Sequence, residues 1–289
     1  MLTVSNFEEL IAPGAFAVPE TVSSRIASML EPRQCGACAP SLVRDERPRF
    51  SANVVAKRIE AHPVELGNAC ASYAELSIEV DGAAPVRARL VEPAGPARVE
   101  NLVPLVVMFN DAGRPVRGWH HMSRFVAAGC AALALDAEVV AYENAPRGLA
   151  DLASRALALA GSVPLLEGID CSRVYAWGEG FGGAQALLVT AHAEMGIRRC
   201  AACNPFPLDA EVPSMGCSLL DAAPGITADV LIGTGLRDEL APTEDCAQLA
   251  HMSTGSAELV VYPEHGHERI NHFEDRVLAF FVQDARERS

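Results

Sequence analysis

The sequence predicts an α/β protein with a doubly wound, mostly parallel β-sheet, an antiparallel hairpin at its N-terminal side and helices on both faces. Two observations indicate this fold class. From residue 104 onward, short apolar segments alternate with longer segments of helical periodicity, as in strands joined by crossover helices. Ahead of them, two segments in which apolar and polar residues alternate enclose the turn DGAAP, which is typical of a β-hairpin.

The elements can be assigned in chain order. The hairpin comprises SYAELSIEV and VRARLVEP, within residues 72–93. Buried strands are predicted at 104–109, 130–136, 172–177, 198–203, 228–235 and 257–263, and helices at 118–128, 147–161, 182–194, 242–252 and 272–286. Residues 1–66 show little periodicity, and we interpret them as an N-terminal extension that packs on a main domain of residues 67–289.

The composition argues against some classes of binding partner. The chain has 289 residues, 50% of them apolar, and a formal net charge of −14. This negative charge argues against nucleic acid or an anionic membrane surface as a partner. No apolar run is long enough to cross a bilayer, and the N-terminal segment lacks the basic start and apolar stretch of a secretory signal. We therefore expect a cytoplasmic protein that does not bind membranes.

The nine cysteines are scattered along the chain, and without an export signal we expect reduced thiols. Two C-x-x-C pairs, Cys35/Cys38 and Cys200/Cys203, could together supply four thiolates for zinc. The second pair lies in a predicted strand, where residues three apart point to opposite faces, so we interpret it as small buried side chains. Cys35 and Cys38 lie in a loop-like segment and remain a metal or redox candidate.

Three predicted loops carry residues with catalytic chemistry, because ligands bind at the carboxyl ends of the strands in such a sheet. The first is the glycine turn GEGFGG after strand 172–177, with Gly180 inside it. Asp238 follows a second strand and His267 follows the last one. Turn, acid and histidine come in the order of a hydrolase triad, where the carboxylate fixes the imidazole tautomer and the histidine accepts the nucleophile's proton.

At these loops the sequence resembles the acetyl xylan esterases and cephalosporin C deacetylases, which are carbohydrate esterases with the α/β-hydrolase fold. The resemblance covers residues 70–285 and is strongest in the segments IDCSRVYAWGEGFGGAQALL, GLRDELAPTE and YPEHGHE. It implies that Asp238 is the triad acid and His267 the triad base. It also implies an oxyanion hole built from the backbone N–H groups of Ala112 and Phe181. We expect no cofactor.

The sequence departs from the family pattern at three separate places. Gly180 stands where the family has its nucleophilic serine, and glycine has no side chain to acylate. Asp111 adds a carboxylate beside the position where negative charge would develop, which works against an oxyanion. In the loop that begins at Asp136, only that aspartate matches the family. Together the departures predict that ordinary serine-esterase activity is lost.

Other interpretations of these residues stay open. Trp119, which follows the predicted oxyanion loop, could line a pocket or belong to the core. Asp238 could be only a carboxylate near a helix N-terminus. His265, His267 and His272 could be metal ligands, but their spacing is not convincing for a complete ligand set, so we expect no metal site.

Three functions remain as hypotheses. The leading one is a protein of the acetyl esterase type that lacks ordinary esterase activity and could bind a small ester or an acetylated-sugar-like ligand. The second is an active hydrolase, in which His267 and Asp238 activate water or in which Gly180 is an engineered replacement of serine. The third is a structural or interaction protein with a collapsed pocket. Because members of the family often form closed rings, the resemblance also makes a homo-oligomer an option.

Overall fold

The computed structural model describes residues 55–57, 71–80, 84–93, 102–111, 117–136 and 140–287. Cys35, Cys38, Ala112 and most of the predicted N-terminal extension lie outside these residues. The strands are β1 (Val55–Lys57), β2 (Ala71–Ile78), β3 (Val86–Pro93), β4 (Val103–Phe109), β5 (Ala131–Leu135), β6 (Ile169–Glu179), β7 (Ile197–Cys203), β8 (Glu211–Val212), β9 (Cys217–Ser218), β10 (Asp229–Gly235) and β11 (Ala257–Tyr262). The helices are α1 (Arg117–Ala127), α2 (Ala145–Gly161), α3 (Phe181–Ala191), α4 (Leu219–Ala222), α5 (Thr243–Met252) and α6 (Asn271–Glu287).

Nine of the described strands form one sheet in the order β1-β2-β3-β5-β4-β6-β7-β10-β11. Strands β5, β4, β6, β7, β10 and β11 pair in parallel, whereas β1, β2 and β3 pair antiparallel. The predicted parallel sheet with its antiparallel hairpin is therefore confirmed. The chain passes from β4 to β5 on one side and then returns across β4 to β6, and such a reversal opens a crevice at the carboxyl edge of the sheet.

Helices cover both faces of the sheet, as predicted. One core contains residues of α2, α3 and α5 together with Leu105 and Val107 of β4. The other contains residues of α1 and α6 together with Val106 and Met108 of the same strand. This alternation along β4 is the two-residue period of a strand that is buried on both faces. Helix α3 is buried from Phe181 to Thr190, so the element that follows the glycine turn is held in the centre of the domain.

The structure adds elements that the sequence pattern did not predict. Strand β1 lies within the predicted N-terminal extension and pairs with β2 at the edge of the sheet. Strands β8 and β9 and helix α4 lie between β7 and β10 and have two to four residues each, too few to show a period. Helix α4 begins with a capping box, in which the Ser218 hydroxyl and the Asp221 carboxylate each accept a hydrogen bond from the other residue's N–H.

The second C-x-x-C pair has the arrangement expected of a strand. Cys200 and Cys203 of β7 belong to the two different cores, on opposite faces of the sheet. Burial raises the pKa of the Cys200 thiol to about 12, and it raises the pKa of Cys203 well above its ordinary value. Two protonated thiols on opposite faces cannot hold one metal ion. Among the described residues, every helix is too short or too polar to cross a bilayer.

Candidate active site

The glycine turn connects β6 to α3 within a single residue. Gly180 stands between the two elements with φ 52° and ψ −122°, a conformation that side chains rarely adopt. Its N–H donates to the carbonyl of Cys203 at 2.8 Å, and its own carbonyl accepts the N–H of Phe206 at 3.2 Å. A strained turn between a strand and a helix presents its central residue at the sheet edge, which is the shape of a nucleophile elbow.

A close backbone contact brings the end of β4 against the start of α3. A Cβ atom added to Gly182 would lie 2.2 Å from the carbonyl oxygen of Phe109, so only glycine permits this approach. Phe109 is the last residue of β4, and Asp111 follows it by two positions. The contact therefore places Asp111 beside the elbow.

Asp238 and His267 form a hydrogen-bonded acid–base pair. Asp238 follows β10, and its Oδ1 accepts the backbone N–H groups of Leu240 and Ala241, each at 2.9 Å. Its Oδ2 lies 2.7 Å from Nδ1 of His267, and the carboxylate is completely buried. An ionised carboxylate can only accept, so Nδ1 carries a proton, and in the neutral imidazole Nε2 is then the acceptor. That Nε2 lies 3.1 Å from the position of a Cβ on Gly180 and thus faces the elbow.

Asn204 joins the loops that carry the acid and the histidine. It follows β7 directly, has a φ of 46° and is buried. Its side-chain Oδ1 accepts the N–H of Gly235 at 2.9 Å, at the end of β10. Its Nδ2 donates to the carbonyls of Gly266 and Glu268, each at 3.2 Å, on either side of His267. One amide therefore fixes the His267 loop to the strand that leads to Asp238.

The carboxylate of Asp111 occupies the space next to Gly180. Its Oδ1 accepts the backbone N–H of Phe181 at 3.1 Å, which is the group expected to stabilise an oxyanion. Its Oδ2 accepts the hydroxyl of Tyr142 at 2.7 Å. A Cβ on Gly180 would lie 2.1 Å from Oδ1, inside van der Waals contact. Asp111 therefore lies where both a nucleophilic side chain and a substrate oxygen would have to be.

Two aromatic rings pack against the histidine. Tyr142 and Phe206 pack edge-on against the His267 imidazole, with ring centroids 5.3 Å and 4.9 Å away. They also contact each other, with centroids 5.6 Å apart. These rings hold the imidazole in one plane and give the site an apolar wall beside the Asp111 carboxylate.

A second polar cluster lies behind the elbow, toward α1 and α6. Nε2 of His121 lies 3.2 Å from a carboxylate oxygen of Glu179, and Glu274 brings a third ligand-type atom within 4.8 Å of both. However, Glu274 is bound by the guanidinium groups of Arg124, at 2.9 Å, and Arg269. Because two cations already balance its charge, the cluster fits an ion-pair network better than a metal site.

The structure brings together Gly180, Asp111, Phe181, Asp238 and His267, all of which the sequence suggested. Asp238 makes a local turn with the residues that follow it rather than capping α5, which begins at Thr243. Ala112 and the side chain of Trp119 lie outside the described residues, as does the loop at 137–139.

Sequence reasoning missed three residues of the site: Asn204, Tyr142 and Phe206. Asn204 had a recognisable signal, a polar residue directly after a buried strand at the functional edge of the sheet. Tyr142 and Phe206 had none, because they lie in irregular segments.

No protein-family model matches the chain, and no curated protein sequence matches it. Solved structures, in contrast, do match the chain. An acetyl xylan esterase from Paenibacillus sp. R4 superposes with a TM-score of 0.65 at 15% identity, over 98% of this chain and 99% of that one. Acetyl xylan esterase 1 from a Thermoanaerobacterium species gives 0.59 at 19% identity, over 98% of both chains. A cold-adapted esterase from an Arctic intertidal metagenomic library gives 0.59 at 21% identity, over 74% of this chain and 93% of that one. At these identities the likeness concerns the fold, and the chain has the α/β-hydrolase fold.

Proposed function

We propose that this chain is an acetyl xylan esterase-like α/β-hydrolase-fold protein that does not catalyse serine-type ester hydrolysis. The observation that supports it is the pair formed by Gly180 and Asp111. Residue 180 has no side chain to acylate, and the Asp111 Oδ1 lies 2.1 Å from the place where one would begin. The missing serine is therefore matched by a change in a second loop.

The remaining acid–base pair argues against a collapsed, purely structural site. A structural protein has no need of a histidine held by a buried aspartate, yet the 2.7 Å contact between His267 and Asp238 is present. Activation of water by this pair is a weaker alternative for acyl esters. The Phe181 N–H that would stabilise the tetrahedral oxyanion already binds Asp111, whose negative charge opposes a second one.

The ligand that we propose is a small ester or an acetylated sugar, held beside the rings of Tyr142 and Phe206. The apolar wall and the neighbouring hydrogen-bonding groups suit an acetylated sugar, which has both apolar and polar surfaces. The net charge of −14 supports an uncharged or cationic ligand over a polyanion.

Hydrolysis of p-nitrophenyl acetate tests the loss of esterase activity. The wild-type protein and His267→Ala should both release nitrophenol at the rate of buffer containing an inert protein. Wild-type turnover well above that rate, lost in His267→Ala, would show that the site still hydrolyses acyl esters.

Calorimetric titration with xylose tetra-acetate tests ligand binding separately. We expect saturable heat with the wild-type protein and weaker binding with Phe206→Ala, which removes one ring of the wall. Absence of saturable heat would count against the proposed ligand class and leave the esterase result unaffected.

A further inference from the structure

We propose that the carboxylate of Asp111 is an internal ligand, which fills a carboxylate-binding position that a free formate ion occupies once this side chain is shortened. Two hydrogen-bond donors from separate elements define the position, the N–H of Phe181 and the hydroxyl of Tyr142. Asp111 is thereby an autoinhibitory contact toward any ligand that needs these donors. The proposed function concerns the loss of acyl hydrolysis, and this carboxylate site can hold or fail independently of it.

The two donors bind the two oxygens of one carboxylate separately. Oδ1 of Asp111 accepts the N–H of Phe181 at 3.1 Å, and Oδ2 accepts the hydroxyl of Tyr142 at 2.7 Å. Hydrogen bonds to an ionised carboxylate are stronger than those between neutral groups, and donors on separate oxygens fix the orientation of the group. The pair of donors is therefore suited to a carboxylate as a chemical group and not only to its negative charge.

Both donors are held by contacts that do not involve Asp111. Phe181 is buried at the start of α3, within the centre of the domain. The ring of Tyr142 packs against the rings of Phe206 and His267, with centroids 5.6 Å and 5.3 Å away. Shortening Asp111 therefore leaves the donors in place. A replacement partner is then favoured, because a donor in a buried region is costly to leave unbound.

Gly180 makes the position available to a carboxylate. A Cβ on residue 180 would lie 2.1 Å from Oδ1 of Asp111 and 2.7 Å from its Cγ, so a side chain at residue 180 and this carboxylate exclude each other. With glycine, the space holds a whole carboxyl group, as Asp111 itself demonstrates. Formate is a carboxylate with one hydrogen, so it fits the same space once the methylene of Asp111 has been removed as well.

The internal ligand limits which external groups can enter the wild-type site. A substrate carbonyl or carboxylate that needs the N–H of Phe181 has to displace a carboxylate tethered to the same chain. Tethering gives the internal group a high effective concentration, so a free anion binds only those molecules in which Asp111 has left the position. A ligand that rests on the rings of Tyr142 and Phe206 without using this N–H meets no such competition.

Nuclear magnetic resonance tests the proposal at a single N–H group. Gly180–Phe181 is the only Gly–Phe pair in the chain, so carbonyl-labelled glycine combined with nitrogen-labelled phenylalanine gives one assigned signal, from Phe181. Sodium formate is titrated against sodium chloride of equal ionic strength. In Asp111→Gly the signal should move saturably with formate and not with chloride. Wild type should need a formate concentration higher by about tenfold or more.

Three variants separate the carboxylate site from other effects. Asp151→Ala removes an exposed carboxylate from α2 and makes the same change in net charge, but its Phe181 signal should respond to formate as wild type does. Asp111→Gly/Tyr142→Phe keeps only one donor and should bind formate more weakly than Asp111→Gly. Asp111→Ala keeps the methylene carbon and should also bind more weakly than Asp111→Gly, and it supplies the answer if Asp111→Gly does not fold.

Chemical denaturation gives a second measurement. Because formate binds the folded state, it should raise the denaturation midpoint of Asp111→Gly above the value in chloride and leave that of wild type unchanged. A folded Asp111→Gly protein whose Phe181 signal ignores formate would overturn the proposal, as would equal responses in wild type and Asp111→Gly, or equal responses to formate and chloride. None of these outcomes depends on the rate of p-nitrophenyl acetate hydrolysis, so either conclusion can fail alone.

Discussion

The carboxylate of Asp111 and any side chain at residue 180 exclude one another. A Cβ built on Gly180 would lie 2.1 Å from Oδ1 of Asp111 and 2.7 Å from its Cγ, far inside van der Waals contact. The glycine at the elbow and the aspartate after β4 are therefore parts of one arrangement, because the Asp111 carboxylate fits here only beside a residue without a side chain.

The first prediction is that Gly180→Ser alone gives an inactive and less stable protein. The substitution adds a steric conflict with Asp111 to the strain of a side chain at φ 52°, and we expect a loss of about 2–4 kcal/mol in the free energy of unfolding. Chemical denaturation measures it. Gly196→Ser is the matched control, since Gly196 has a φ of 67° and nothing within 4 Å of its Cβ position. Equal losses in the two variants would show that Asp111 does not obstruct residue 180.

The second prediction concerns the combined change. In Asp111→Ala/Gly180→Ser the obstructing carboxylate is absent. The double variant should therefore lose less free energy of unfolding than the two single variants lose in sum, by about 1 kcal/mol or more. The serine would also stand beside Nε2 of His267 and the N–H of Phe181, so p-nitrophenyl acetate turnover should rise above that of either single variant. Strict additivity in the denaturation data would contradict the steric coupling.

The third prediction is that Asn204→Ala lowers the free energy of unfolding. It removes three hydrogen bonds from a buried amide that joins the end of β10 to the loop carrying His267. We expect the free energy of unfolding to fall by about 2–4 kcal/mol, as measured by chemical denaturation. Asn144→Ala is the control, because Asn144 is exposed and makes no side-chain cap at the start of α2. A loss no larger than that of the control would mean that Asn204 does not fix these loops.

The fourth prediction is a pH dependence of stability from Asp284. Burial acts to raise the pKa of this carboxyl, but hydrogen bonds from Arg198, at 2.7 Å, and Tyr175, at 2.9 Å, outweigh it and lower the pKa. With a folded pKa below the unfolded one, the stabilisation is complete above about pH 4 and is lost as the pH falls further. The gap in unfolding free energy between wild type and Asp284→Asn should be about 3 kcal/mol at neutral pH.

That gap should shrink on acidification below the ordinary pKa of aspartate. Asp151→Asn, at an exposed position of α2, supplies the background pH dependence of a surface carboxylate. A gap between wild type and Asp284→Asn that stays constant through the acid range would contradict the lowered pKa.

The sequence predicted the strands of the sheet well, for a physical reason. Strands such as β4 and β7 are buried on both faces, so their apolar runs are continuous and easily recognised. That Gly180, Asp238 and His267 lie at one edge of the sheet likewise followed from the rule that sites form at the carboxyl ends of strands.

What the sequence did not predict depends on contacts between distant irregular segments. The carboxylate of Asp111 was expected to disturb the oxyanion site, but its hydrogen bonds to Phe181 and Tyr142 depend on how three loops meet. Tyr142 lies in a three-residue turn after β5, where no periodicity exists to place it. The side chain of Asn204 binds backbone groups of two other loops, and the sequence does not show which backbone groups those are.

The mutual exclusion at the elbow also limits how this protein can change over generations. With Asp111 in place, one substitution at residue 180 does not make room for a serine, because its Cβ would lie 2.1 Å from Oδ1 of Asp111. Replacing Asp111 alone still leaves residue 180 without a side chain to acylate. Both loops have to change before residue 180 can carry a serine, so the two positions are coupled in any path by which this protein changes.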